Sequence, residues 1–194
     1  MQHLSVATRN AHKTREIQRI LGADFAVSDL CAYPETPETV ESGKTFEENA
    51  VLKATAAARQ LPGLVVADDS GLEVDALGGA PGIYSARYAG QNATDRQNID
   101  KLLAELARIE RAKRSGRFRC VIALAREGKL LGTFEGVVEG VVVDSPRGTS
   151  GFGYDPLFMP NGFGKTFGQL SPTEKDRVSH RARALEKLRV RLSP

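Results

Sequence analysis

The chain has 194 residues, of which 41% are hydrophobic and 26% charged, a balance that suits one globular α/β domain able to bury a sizeable core. The formal net charge of +3 is mildly basic and does not by itself mark a nucleic-acid binder. No apolar run is long enough to span a membrane, "MQHLSVATRN" does not read as a secretory signal, and Cys31 and Cys120 lie far apart without metal-type spacing. The expectation is therefore a cytoplasmic protein with reduced thiols and no membrane partner.

Taken in chain order, residues 4–8 ("LSVAT") read as a short buried strand. "RNAH" is a loop, and "KTREIQRILG" a helix with Ile17, Ile20 and Leu21 inward and Gly22 as its stop. Residues 25–30 suggest a second strand, followed by a long loop over 31–44 with Pro34, Pro37 and Gly43. Thr45 then opens a helix through the capping box "TFEE", with Glu48 reaching back. Phe46, Ala50, Ala57 and Leu61 share its apolar face, and Lys53 lies on that face too. Either its stem packs while the ammonium snorkels out, or a cation is aimed into a pocket.

Residues 64–67 form a strand that meets Asp68 and Asp69, and an irregular glycine-rich segment follows to Gly90. "TDRQNIDKLLAELARIE" is an amphipathic helix capped by Thr94, with Gln97 in the box position. "RFRCVIALAREGKLLGTFEGVVEGVVV" reads as two or three antiparallel strands, the first turn at Glu127-Gly128 and Cys120 in the core. Residues 144–164 are rich in Gly and Pro. Ser171-Pro172-Thr173-Glu174 is a second capping box, opening a final helix to about Leu192. Residues 108–119 hold Arg108, Arg111, Lys113, Arg114, Arg117 and Arg119 against Glu110 alone, and solvated helix faces account for most of that charge. The pattern is a mixed sheet with helices packed on it.

Several segments hold polar groups that a core does not need. In "TRNAHK" (8–13) a turn between strand and helix presents backbone N–H groups, with Thr8, Asn10 and Lys13 as further donors for a phosphate. It is not a Walker A loop, and the one "GKT", at 164–166, has Met159 where that motif needs glycine. Asp68 and Asp69 are open to two readings, a turn or a cation site. If the strand persists, only one of them enters a given site. One aspartate with a loop carboxylate such as Glu41 suffices for Mg²⁺, which takes hard oxygen ligands. In "SGFGYD" (150–155), Phe152 or Tyr154 either stacks on a base or packs under the loop. Lys175, in a first helical turn where acids are usual, suits an anionic ligand, and His180 and Arg181 follow it.

The motifs "ATRNAHKTREI", "TFEENAVLKA", "ADDSGLEVDALGGAPGIYSARYAG", "GFGYDPLF" and "EKDRVSHRARAL" closely resemble those of the inosine/xanthosine triphosphate pyrophosphatase family, in family order from Leu4 to about Leu192. The resemblance implies an elongated mixed β-sheet with helices on its faces, and two lobes with the nucleotide cleft between them, all within a single domain over 1–194. It also implies a homodimer and Mg²⁺-dependent hydrolysis of ITP, dITP or XTP to the monophosphate and pyrophosphate, cleansing the nucleotide pool. By resemblance, the segment Thr8, Arg9, Asn10, Ala11, His12 and Lys13 binds substrate phosphate, with Thr8, Asn10 and Lys13 as the matching contacts. Arg9 replaces a common glycine, so its side chain points away or adds a contact, and the side chain of His12 takes no assigned role. Glu41 and Asp69 match metal-associated carboxylates, Asp69 being also the catalytic proton acceptor with Ser70 beside it. Lys53 matches a lysine facing the triphosphate. Phe152, Gly153, Tyr154 and Asp155 match the base-binding segment, and Lys175, His180 and Arg181 the remaining substrate contacts.

Water would attack the α-phosphorus with Asp69 and Mg²⁺, while Lys13 and Lys53 offset charge on the departing pyrophosphate. Hypoxanthine and xanthine carry a 6-oxo acceptor and an N1–H donor, which Arg181 or a backbone N–H and Asp155 would match, and adenine carries neither. The rival readings are a pyrophosphatase of modified pyrimidine nucleotides, a nucleic-acid binder using residues 108–119, and a nucleotide sensor without turnover.

Overall fold

Local signals start and stop most of the elements. The structure, a computed structural model, describes residues 2–192. Strand β1 (Gln2–Val6) leads into helix α1 (Ala11–Leu21). The helix begins two residues before the expected start because Asn10 caps it, its side-chain oxygen accepting from the amides of His12 (2.9 Å) and Lys13 (3.3 Å). Gly22, at φ 72°, ends it. Strand β2 (Phe25–Asp29) follows, then the long loop, then helix α2 (Phe46–Ala57). Thr45 caps α2 as expected, but Glu48 reaches the amide of Lys44 (2.6 Å) rather than closing a box on Thr45.

Strand β3 (Leu64–Val74) does not stop at the aspartates but runs through them for five more residues. Helix α3 (Asp95–Leu106) carries the full Thr94/Gln97 capping box. Strands β4 (Ser115–Arg126) and β5 (Lys129–Val142) are joined by Glu127-Gly128, both at positive φ, as a two-residue hairpin requires. A short strand β6 (Phe158–Pro160) sits in the Gly- and Pro-rich stretch that the sequence presents as loop. The expected single C-terminal helix is two, α4 (Pro172–Val178) and α5 (His180–Leu192), separated by Ser179 in an extended conformation.

The strands form one sheet in the order β2-β1-β3-β4-β5-β6, with β1 parallel to both β2 and β3, and β5 antiparallel to β6. The architecture is thus the expected mixed sheet with helices. The chain divides into two compact units, one of residues 1–69, 120–136 and 180–194, the other of 70–119 and 137–179. Each has its own core. The first is built from Leu4, Val6, Ile17, Leu21, Ile122 and Leu185 with their neighbours. The second gathers Leu72, Leu102, Leu106, Phe118, Phe158 and Phe167, three of them in edge and stacked ring contacts. Gly136 lets α5 approach β5 within the first unit, since a Cβ there would stand 2.0 Å from the carbonyl oxygen of His180.

Several side chains of the basic stretch 108–119 have partners within the fold. Arg114 donates to the carbonyls of Leu106 and Ile109 at the end of α3. Arg117 reaches Asp75 and Glu139, and Arg119 reaches Glu73. No helix among the described residues is long and apolar enough to cross a membrane.

Candidate active site

In the first unit β1 lies between β2 and β3, so the chain leaves β1 toward one side and returns on the other. That reversal, at the carboxyl ends of parallel strands, is where open α/β sheets bind ligands. The β1–β3 pairing covers only Leu64 to Val66, and Ala7 N–H closes the ladder on Val66 O at 2.7 Å. Two residues further along β3, the carbonyl oxygen of Asp68 faces the same side with no strand to meet it. It accepts instead from Lys53 Nζ (2.9 Å) and Lys13 Nζ (3.4 Å).

Because β3 persists, its successive side chains diverge. Asp68 is fully buried, with Arg181 Nε and Cys120 Sγ each 3.0 Å from its Oδ2 and Lys13 paired to its Oδ1. Arg181 also pairs with Glu16. Asp69 takes Lys53 on Oδ1 at 2.7 Å, and the same ammonium donates to Glu41 at 2.8 Å. Lys53 is therefore the cation aimed into the site rather than one that snorkels away.

The electrostatics separate the two aspartates. Burial alone would raise the pKa of Asp68, but Arg181 and Lys13 outweigh it and hold the carboxyl well below its ordinary range. Burial dominates at Asp69 and raises its pKa, with Lys53 and Lys13 opposing. Lys53 is held above its ordinary value by Asp69 and Glu41 against the effect of burial. Lys13, Lys53 and Arg181 here face four carboxylates, Glu16, Glu41, Asp68 and Asp69. The buried Oδ2 of Asp69 has no hydrogen-bond partner among the described residues. An orphaned acceptor and all-oxygen donors fit a hard divalent cation held by one or two carboxylates. No cluster of three or more His, Cys, Asp or Glu side chains arranged for a metal occurs among the described residues.

The 8–13 segment is less open than its sequence suggests. Asn10 Oδ1 already takes the His12 and Lys13 amides, so those two N–H groups are not open to a phosphate. Thr8 Oγ1 accepts the Asn10 amide. Arg9 points away, its guanidinium donating to the carbonyls of Leu30 (3.0 Å) and Thr36 (2.8 Å). Ala11 and His12 are exposed, and His12 Nδ1 lies 3.1 Å from Arg15. His180 is buried at the start of α5.

The second unit holds the remaining candidates. Ser70 is half-buried on β3. Asp155 is buried and its Oδ2 accepts from Lys175 Nζ (2.5 Å) and the Phe152 amide (2.9 Å). The expected anion beside Lys175 is thus an internal one. Gly151, at φ 78°, is required here, for a Cβ would stand 1.9 Å from that Asp155 oxygen. The Lys175 ammonium lies 5.1 Å from the Phe152 ring centroid. The Gly153 amide is bound by Asp95 at 2.6 Å. Tyr154 is not a stacking platform. Its ring belongs to the core and its hydroxyl donates to Ser85 O at 3.0 Å. Phe152, by contrast, is half-buried.

Sequence reasoning missed Glu16, Cys120 and Asn49. Glu16 was signalled, since Lys13, Glu16 and Ile17 fall at i, i+3 and i+4 on one face of α1. Asn49, fully buried, accepts the Gly43 amide at 2.9 Å and so fastens the loop that carries Glu41. Nothing local signals it.

Residues 4–191 match the sequence profile of the Ham1 family. A dITP/XTP pyrophosphatase of Geobacter sulfurreducens is 53% identical over 194 residues, covering 99% of this chain and 97% of the relative. One of Shouchella clausii is 50% identical over 189 residues, with 97% and 96% covered. Among solved structures, the Staphylococcus aureus Ham1 protein superimposes with TM-score 0.86 at 42% identity, covering 98% of both chains. A HAM1 protein from Coxiella burnetii gives 0.87 at 41%, covering 99% of this chain and 98% of the other.

Proposed function

The chain belongs to the Ham1 family, and from that membership we propose that it hydrolyses deaminated purine nucleoside triphosphates (dITP, ITP, XTP) to monophosphate and pyrophosphate. In this reading residues 1–194 act as one catalytic domain in a cytoplasmic homodimer, with neither nucleic acid nor membrane as partner. The observation that carries the reading is the Lys53 ammonium joining Glu41 and Asp69 while Asp69 Oδ2 stays unpartnered.

Asp69 and Glu41 would hold Mg²⁺, which when bound would polarise the phosphoryl oxygens. Asp69 either joins Glu41 in holding the metal or takes the proton of the water that attacks the α-phosphorus, and Oδ2 is the oxygen left for either role. Lys13 and Lys53, both anchored on the Asp68 carbonyl, offset charge on the departing pyrophosphate. Phe152 stacks on the purine, and the Asp155–Lys175 pair reads the 6-oxo edge of the base. Adenine, with an amino group there, leaves the ammonium facing a donor.

The test is pyrophosphate release from a panel of ITP, dITP, XTP, the four standard triphosphates and modified pyrimidine triphosphates, with and without Mg²⁺. Release confined to the deaminated purines and dependent on Mg²⁺ is expected. Turnover of pyrimidines alone, or binding of ITP without release, overturns the reading.

A further inference from the structure

Cys120 is fully buried on β4, in the core of the first unit. A buried cysteine ordinarily behaves as a small hydrophobe. Here its Sγ stands 3.0 Å from Asp68 Oδ2, and since an ionised carboxylate only accepts, the thiol is the donor. Arg181 Nε donates to the same oxygen at 3.0 Å, and Oδ1 is left to Lys13. Two donors converging on one oxygen from β4 and α5 fix the plane of the carboxylate, and with it the place where Oδ1 meets the ammonium. The side chains of Asp68 and Arg181 are each 1% exposed and that of Lys13 is 16% exposed, so the network opens to a ligand through Lys13.

We propose that Cys120 is a positioning residue for the reaction, its thiol acting through Asp68 to aim the Lys13 ammonium at the phosphates of the substrate. This rests on the phosphate-binding role proposed above for Lys13. A cysteine that merely fills space affects packing alone. A cysteine that aims Lys13 has an effect that disappears when Lys13 has no charge to aim.

The experiment is a double-mutant cycle. Cys120→Ser, Cys120→Ala and Cys120→Val are each made in the wild-type and Lys13→Met backgrounds, and kcat/KM for dITP is measured beside the melting temperature. Ala and Val are expected to lower kcat/KM about fivefold, the scale of one hydrogen bond, and Ser to stay within about twofold because it keeps a donor. In the Lys13→Met background the Ala and Val losses vanish. Equal fold losses in both backgrounds, or Ser as impaired as Ala, overturn the proposal. Val fills the space that Ala leaves, so the cycle stands if Ala alone fails to fold. A wild-type protein that releases no pyrophosphate from dITP removes the proposed function instead. An active wild type with an equally active Lys13→Met removes the role of Lys13, and this inference with it.

Discussion

Arg181→Met should be among the most destabilising single substitutions in the first unit. Arg181 is 1% exposed and pairs with Glu16 and Asp68, themselves buried at 4% and 3% exposure. Asp68 keeps Lys13 and Cys120 when the guanidinium is removed, while Glu16 loses its buried pairing with Arg181. Removing one partner of a buried pair typically costs about 3–5 kcal/mol, because the other charge stays desolvated. For a chain of this size that corresponds to a fall in Tm of about 6–20 °C. Thermal melts followed by circular dichroism and urea titrations measure it. Adding Glu16→Gln should recover part of the loss, as it removes the buried charge that Arg181 paired. The pH dependence should change as well. In the wild type Asp68 has a lowered pKa, so its ionisation stabilises the fold above the unfolded-state pKa, and that stability is lost as the pH falls through the lowered folded value. Without Arg181, the first cause of the lowering, the loss should begin at a higher pH. A variant melting within about 2 °C of wild type, with the same acid limb, would refute the claim that this network holds the unit together.

Asp69→Asn keeps the shape but removes the charge and the proton acceptor, and should lower kcat by about 10²-fold or more at saturating Mg²⁺. Wild-type kcat would take the acceptor role from Asp69. Asp155→Ala frees Lys175 and the Phe152 amide together, and should shrink the ratio of kcat/KM for ITP over ATP by about tenfold. An unchanged ratio would remove the Asp155–Lys175 pair from base reading. Asn49→Ala loosens the loop carrying Glu41 and should weaken apparent Mg²⁺ affinity about tenfold while kcat at saturation stays near normal. Unaltered Mg²⁺ dependence would show that this contact does not set Glu41.

What was legible in the sequence is what local chemistry decides. Thr94 with Gln97, and Ser171 with Pro172 and Glu174, announce helix starts because caps bond within one turn. The hairpin at Glu127-Gly128 is equally local. Ser179 also carried a signal, for an extended serine is a common way to begin a helix, but the helical periodicity on both sides hid the break. The partners of Asp68 were not legible at all. Arg181 lies 113 residues away along the chain and Cys120 lies 52 away, and no window of sequence joins them. Arg181 looked like a ligand-facing cation for the same reason, since the buried carboxylates that neutralise it come from other elements.

The two adjacent aspartates are explained by the strand that does not end. Had Asp68 and Asp69 stood in a turn, both carboxylates would face water and neither would be fixed. Carried by β3 beyond the last rung of the β1 ladder, they point to opposite sides, while the backbone between them stays as rigid as the sheet. Asp68 then acts twice, its carboxylate joining the buried network and its carbonyl holding both lysines. Asp69 faces Lys53 and Glu41 with one oxygen free. A shift of β3 by one residue would exchange the two sides, placing the orphaned oxygen against Arg181 and leaving Lys53 without its partner. The register that buries Val66 in the first unit's core is therefore the same register that sets Asp69 against Lys53 and Glu41. Stability and chemistry are set together at this strand.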